Sequence, residues 1–169
     1  MTLTYRLEPG GPAVVLTEAV IETLLKHRQL ELKDNEAGGQ LFARFEGKDT
    51  IIVEATEPKN SDKRKRYWFE PNKHLQRQEI KAKHKNGEHF VGDWHTHPQS
   101  IPSPSGDDLK SIIDCFRKSH HELKAFLMVI VGTAELPEGL LVCLVDGSGL
   151  SQLYSQQVHP NVSSSTGSG

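Results

Sequence analysis

The sequence predicts one α/β (α+β) domain, a mixed β-sheet sandwiched by helices. Two nearly continuous apolar runs of strand length, Phe126 to Val131 and Leu140 to Val145, have the composition of strands covered on both faces. Leu109, Ile112, Ile113 and Phe116 recur at i, i+3, i+4 and i+7, the period of an amphipathic helix. A strand, turn and strand pattern precedes both, and helices mixed among hairpins and central strands give a layered α/β arrangement. The 169 residues suit a single compact unit, which buries roughly 68–70% of its extended surface and needs no disulfide staples. We expect one domain over residues 1–158 and a disordered Ser/Gly-rich tail over 159–169.

Thr17 is placed to cap a helix over 17–30, with Glu18 in its first turn and Val20, Ile21, Leu24 and Leu25 on one face. Gly38 to Phe45, a turn at Gly47-Lys48-Asp49 and Thr50 to Ala55 then predict a hairpin. Lys59 to Arg66 is polar and basic and is expected to be a solvated loop leading into a short strand at Tyr67-Trp68-Phe69. Pro71 to Asn86, closed by Gly87, predicts an exposed helix with a thin apolar face. His89 to His97 reads as a strand stopped by Pro98, and Pro98 to Pro104 as a rigid loop with three prolines. The amphipathic helix starts behind Ser105, and the two apolar strands are expected at the centre of the sheet.

Composition narrows the function classes. With 20 Lys+Arg against 22 Asp+Glu, the net charge of −2 provides no long-range attraction for nucleic acid. The longest apolar run is far short of the ~18 residues that suggest a membrane span, and the N-terminus lacks a secretory pattern, so a soluble, cytoplasmic protein is expected. The two cysteines, Cys115 and Cys143, sit in apolar stretches and read as small buried hydrophobes.

One constellation carries chemistry. His95 and His97 flank Thr96 on the predicted strand, and alternation projects both imidazoles from one face. Pro98 leaves the pair at a strand end, open to substrate. The six residues between Pro98 and Ser105 allow the start of the next helix to fold back, making Asp108 a candidate third ligand. Three protein ligands with one open position is the pattern of a catalytic Zn²⁺ site, and such a site lowers the pKa of bound water from 15.7 toward roughly 7. His120 and His121 are expected to solvate a helix end, while His27, His74, His84, His89 and His159 have no partner at ligand spacing. Trp68 and Trp94 read as core or rim packing, and Asp107 as support for the helix dipole.

His95-Thr96-His97-Pro98, six residues, Ser105, two residues and Asp108 together resemble the motif of the JAMM (JAB/MPN/Mov34) zinc metallopeptidases. Glu36-Ala37-Gly38-Gly39-Gln40-Leu41 resembles the family's glutamate ahead of a glycine-containing strand, and the likeness covers about residues 13–156. It implies a JAB/MPN-like fold related in architecture to cytidine deaminases, with Zn²⁺ held by His95, His97 and Asp108. It also implies catalytic roles for Glu36, as general acid/base on the metal-bound water, and Ser105, as hydrogen-bond donor to the oxyanion. The implied activity is hydrolysis of peptide or isopeptide bonds, often at the C-terminus of ubiquitin-like proteins, by attack of zinc-bound hydroxide.

Gly92-Asp93-Trp94-His95-Thr96-His97-Pro98 resembles the bacterial single-domain branch. Some of its members accompany cyclic-oligonucleotide antiphage systems and reverse the conjugation of a CD-NTase-type nucleotidyltransferase by an E1–E2-like enzyme. The implied partner is the C-terminal tail of such a conjugated protein, held by strand addition to a sheet edge. Two departures stand out: Ala43 where the family often has Gly, and a short Thr133 to Pro137 loop where eukaryotic relatives carry a ubiquitin-gripping insertion. The second speaks against strict polyubiquitin linkage specificity. A non-enzymatic scaffold of the same fold is the alternative, but Glu36, His95, His97, Ser105 and Asp108 are all intact. A nucleoside deaminase would need His-x-Glu followed by Pro-Cys-x-x-Cys, and the sequence contains no Pro-Cys-x-x-Cys.

Overall fold

A computed structural model describes residues 1–119, 121 and 123–156. The expected tail over 159–169, His120 and His159 lie outside the described residues. Three helices pack on a nine-stranded mixed sheet whose strand order is β10-β9-β8-β7-β3-β4-β2-β1-β11. In chain order the elements are β1 (Leu3–Arg6), β2 (Ala13–Leu16), α1 (Glu18–Lys26), β3 (Gly38–Glu46) and β4 (Asp49–Ala55). Then come β5 (Lys63–Lys65), β6 (Trp68–Glu70), α2 (Lys73–Lys85), β7 (His89–Thr96) and α3 (Gly106–Lys118). The chain continues through β8 (Phe126–Val131), β9 (Leu140–Val145), β10 (Leu150–Gln152) and β11 (Tyr154–Ser155). Among the described residues no helix is long and apolar enough to cross a membrane.

The α+β class and the apolar strands are as expected. Along β8, Leu127, Val129 and Val131 join one core cluster, which includes Val20, Ile21 and Leu24 of α1. Phe126, Met128 and Ile130 join the other, beneath Ile112 of α3. Alternating side chains of one strand thus serve two layers. The two apolar strands do not form the centre, however: β3 occupies the middle position, and outside β9 lies only the three-residue β10. Strands β10 and β11 stand at opposite ends of the strand order, yet only Leu153 separates them in the chain. The sheet therefore curls until its ends meet, and the buried Leu153 donates its N–H to Val142 O at 2.9 Å.

Further expectations are corrected. The first helix ends at Lys26 rather than residue 30, and the Thr17 side chain makes no capping bond; the chain leaves the helix because Gln29, 2% exposed, is drawn into tertiary hydrogen bonds. The basic stretch over 59–66 is not all loop, since Lys63–Lys65 pairs antiparallel with Trp68–Glu70 as a separate hairpin. Strands β1, β2, β10 and β11 fall outside the expected elements, being two to four residues long and dependent on their neighbours for pairing. Cys143 is buried and Cys115 only half-buried; both are free thiols, and burial pushes both up, Cys143 to about 11.

A bulge in β7 aims the strand that matters most. The register against β3 shifts between Gly92 opposite Leu41 and Phe90 opposite Phe42, leaving Val91 without an opposite residue. Gly92 has φ +154°, and a Cβ there would lie 1.9 Å from Leu127 O, so only glycine fits between β3 and β8. One extra residue reverses the inside/outside alternation beyond it. Trp94 consequently enters the core, 1% exposed, while Asp93 and His95 turn toward α3.

Candidate metal centre

Three segments converge at the end of β7. The backbone of His97 is held by donation of its N–H to Val131 O at 2.9 Å. Asp108 arrives from the first turn of α3, where a capping box fixes it: Ser105 Oγ accepts from Asp108 N at 3.0 Å, and Asp108 Oδ2 accepts from Ser105 N at 2.9 Å. Glu36 comes from the segment before β3, and the missing side chain of Gly38, opposite His95, leaves room for the Phe69 ring beside it.

The donor atoms form a triangle. His95 Nε2 and His97 Nε2 are 3.2 Å apart, and Asp108 Oδ2 lies 3.1 Å from the first and 3.2 Å from the second. Ligands at tetrahedral Zn²⁺ with bonds of 2.0–2.2 Å stand about 3.4 Å from one another, so these side chains fit one divalent cation with almost no movement. A Glu36 carboxylate oxygen and the two imidazole nitrogens all lie within 4.8 Å of one another, which leaves Glu36 wider of the triangle than Asp108. His95, His97, Asp108, Glu36 and Ser105, all expected from the sequence, are thus brought into one neighbourhood, with Ser105 lining the hollow beside Glu36 and Asp108.

Electrostatics match the arrangement. Burial works to raise the Asp108 carboxyl, but hydrogen bonds from His95 and His97 outweigh it and hold it well below the usual carboxylate range. Burial also opposes charge on His97, yet the Asp108 carboxylate prevails and its pKa is raised. Glu36, 6% exposed, is raised chiefly by burial, with Asp108 adding to the effect and His95 and His97 opposing it. A buried carboxyl of raised pKa that faces a hollow is suited to taking up and releasing a proton.

Two hollows meet at these residues. The larger, about 570 Å³, is walled by Trp68, Phe69, His97, Gln99 and Ser105. The smaller, about 120 Å³, runs under Phe69 to Asp93 and Gln76, and Glu36 and Asp108 line both. Trp68 is rim, as expected, and Trp94 is core, its Nε1 donating to Thr56 O at 3.0 Å. Asp107 stands in the first turn of α3 but also lines the larger hollow. Sequence reasoning missed Gln99 and Asp93. Gln99 Oε1 accepts from Ser103 N at 3.1 Å and sits 3.1 Å from His97 Nδ1. That ring nitrogen therefore keeps its proton, and Nε2 becomes a ligand once it gives up the proton it shares with Asp108. Asp93 is raised to about 6 by burial, against the pull of His95 and Lys73; its position two before His95 on one strand was the available signal.

A family profile described as prokaryotic homologs of the JAB domain matches residues 17–141. The chain belongs to the prokaryotic JAB family. This JAB domain is 34% identical over 142 residues to a protein named CD-NTase/cGAS isopeptidase from Pseudomonas aeruginosa, covering 82% of this chain and 87% of the relative. It is 30% identical over 132 residues to a protein of the same name from Enterobacter hormaechei, covering 77% and 73% of the two chains. Among solved structures, it is similar to protein DSY2949 from Desulfitobacterium hafniense, with a TM-score of 0.57, 26% identity, and 81% and 87% of the two chains covered. The JAB family is hydrolytic, and this chain is an enzyme of that class.

Proposed function

We propose that this JAB domain is a zinc-dependent isopeptidase. It severs the amide bond joining the C-terminal tail of a CD-NTase-type or ubiquitin-like protein to its conjugate, and so reverses a bacterial conjugation in cytoplasmic antiphage defence. The observation that carries this reading is the triangle of His95, His97 and Asp108 donors at 3.1–3.2 Å, set beside the buried Glu36 at the floor of an open hollow. The names of the Pseudomonas and Enterobacter relatives support the substrate class. The scaffold alternative is disfavoured because a scaffold has no need of three convergent donors and a buried acid.

Bound Zn²⁺ supplies Lewis acidity, lowering the pKa of water and polarising the scissile carbonyl. His95, His97 and Asp108 would hold the ion, and Gln99 keeps His97 in its ligating tautomer. The Glu36 carboxylate accepts the proton of the attacking water and returns it to the departing amine. Ser105 Oγ accepts from Asp108 N, so its own hydroxyl proton is free for the carbonyl oxygen as charge develops there. The tail lies extended in the larger hollow, pairing its backbone with the edge of the β5–β6 hairpin, which sets the carbonyl over the donors.

The test is a conjugate in which a lysine side chain of one protein is amide-linked to the C-terminus of a CD-NTase-type protein, incubated with the zinc-loaded chain. Release of both intact proteins, blocked by a chelator and restored by zinc, is expected. An intact conjugate in the presence of one bound zinc per chain would overturn the proposal.

A further inference from the structure

We propose that Gln29 is a positioning residue, which holds the Glu36 acid/base and the β5–β6 hairpin in one register with the metal-binding strand; the catalytic part of this rests on the hydrolase reading above. Gln29 lies outside every motif, three residues beyond α1, yet it is 2% exposed and all its side-chain bonds are made to elements around the site. Its Oε1 accepts from Thr96 Oγ1 at 2.9 Å. Its Nε2 donates to Arg66 O at 2.7 Å and to Asp34 O at 3.2 Å. Thr96, fully buried, sits between His95 and His97, and its Oγ1 also accepts from Ala37 N at 2.9 Å.

These bonds close a circuit. Ala37 is joined to Glu36 by the chain, Glu36 N donates to Lys65 O at 2.7 Å, and Lys65 is joined to Arg66, whose carbonyl returns to Gln29. A spoke crosses it, as Arg64 Nε donates to Glu36 O at 2.8 Å. Both backbone polar groups of Glu36 are thus held by the hairpin whose Trp68 and Phe69 wall the larger hollow, while Gln29 ties that hairpin back to the residue between the two histidines. Two cations of the basic run are consumed in this framework: Arg64 on Glu36, and Arg66, whose guanidinium donates to Glu31 O and Leu32 O at 2.9 Å. A side chain that only filled the core would require none of these partners. Gln29 satisfies three of them at once, each on a different segment around the site.

The experiment compares Gln29→Met, which keeps shape and loses every bond, with Thr96→Val and Thr96→Ser. For Gln29→Met and Thr96→Val, kcat on the conjugate should fall about 10- to 100-fold, the cost of a misplaced catalytic group. KM and zinc affinity should stay within about threefold of wild type. Thr96→Ser, which retains the hydroxyl, should restore kcat. Hydrogen exchange on the zinc-free protein supplies a readout independent of turnover: Gln29→Met should speed the amides of Glu36, Ala37 and Lys65 about tenfold or more. Unchanged kcat in both bond-losing variants, parallel loss of zinc and activity, or faster exchange confined to residues 27–34 would each overturn the proposal. Should wild type leave the conjugate intact, the isopeptidase reading fails alone, because the exchange pattern still decides whether Gln29 holds Glu36. If Gln29→Met does not fold, the Thr96→Val and Thr96→Ser pair decides by the same measurements.

Discussion

Replacing Asp108 by asparagine separates the two candidates for third metal ligand, because the donor atoms group in two ways: Asp108 with the histidines at 3.1–3.2 Å, or Glu36 with the same nitrogens within 4.8 Å. Asparagine keeps a side-chain oxygen that can accept from Ser105 N, so the helix start should lose no more than the ~1 kcal/mol typical of a weakened cap. Zinc binding should suffer far more. Apparent affinities of about 10–16 kcal/mol spread over four ligands give about 2.5–4 kcal/mol for each, a loss of roughly 70- to 1,000-fold when one is removed. Competition against a chromophoric chelator measures the affinity, and thermal unfolding with excess chelator measures the fold separately. Glu36→Gln should bind zinc within about tenfold of wild type, since only a nearby charge is removed. If Asp108→Asn keeps wild-type affinity while Glu36→Gln loses it, the metal belongs to Glu36 and the assigned roles are reversed.

Three further outcomes are expected. Glu36→Gln, with zinc retained, should lower kcat about 10²- to 10⁴-fold, the usual contribution of a general acid/base; turnover within threefold of wild type would remove Glu36 from proton transfer. Ser105→Ala should cost about 1 kcal/mol in unfolding free energy through the lost cap and about 10²- to 10³-fold in kcat through the lost donor, with Ser105→Thr recovering both; a loss of stability without any loss of kcat would leave Ser105 a capping residue alone. Among the described residues Tyr5 Oη is buried without a hydrogen-bond partner, and burial, helped by Glu138, pushes the phenol up to about 12. Because the folded state favours its neutral form, the associated stability is intact below the unfolded value near 10 and is lost as pH rises toward 12, about 3 kcal/mol in all. Tyr5→Phe should abolish that part of the alkaline loss in denaturant titrations and be no less stable at pH 7; an unchanged alkaline profile would show that Tyr5 ionises freely in the fold.

Much of the site was legible because its signals are short in range. A capping box spans four residues, and Ser105 with Asp108 forms one. The unbroken apolar run of β8 needed only its own six residues to mark it as covered on both faces. Other elements were not legible. The helix expected over 17–30 stops at Lys26 although its apolar period continues toward Leu30, because the buried Gln29 side chain gains partners on residues 34, 66 and 96. The first strand of the hairpin, Lys63–Lys65, hides in a basic run whose composition argues for solvent, while the second coincides with the strand expected at Tyr67-Trp68-Phe69. The hairpin's place is fixed by the Glu36 backbone, through bonds no local pattern encodes.

The sequence by itself determined the candidate ligands, their spacing, the capped start of α3 and the apolar strands, since each depends on residues within a turn or a strand of one another. Only the tertiary structure decided which way those ligands face. Alternation alone puts His95 and His97 on a common side, but the bulge at Val91 and Gly92, forced by the close passage of β8, chooses the side that α3 covers. Likewise Glu36 reaches the histidines through the bond of its neighbour Ala37 to Thr96, 59 positions away, and Thr96 reaches Gln29 across 67. Contacts at that separation exist only once the chain has closed the intervening loops, so the machinery around the acid is a property of the fold.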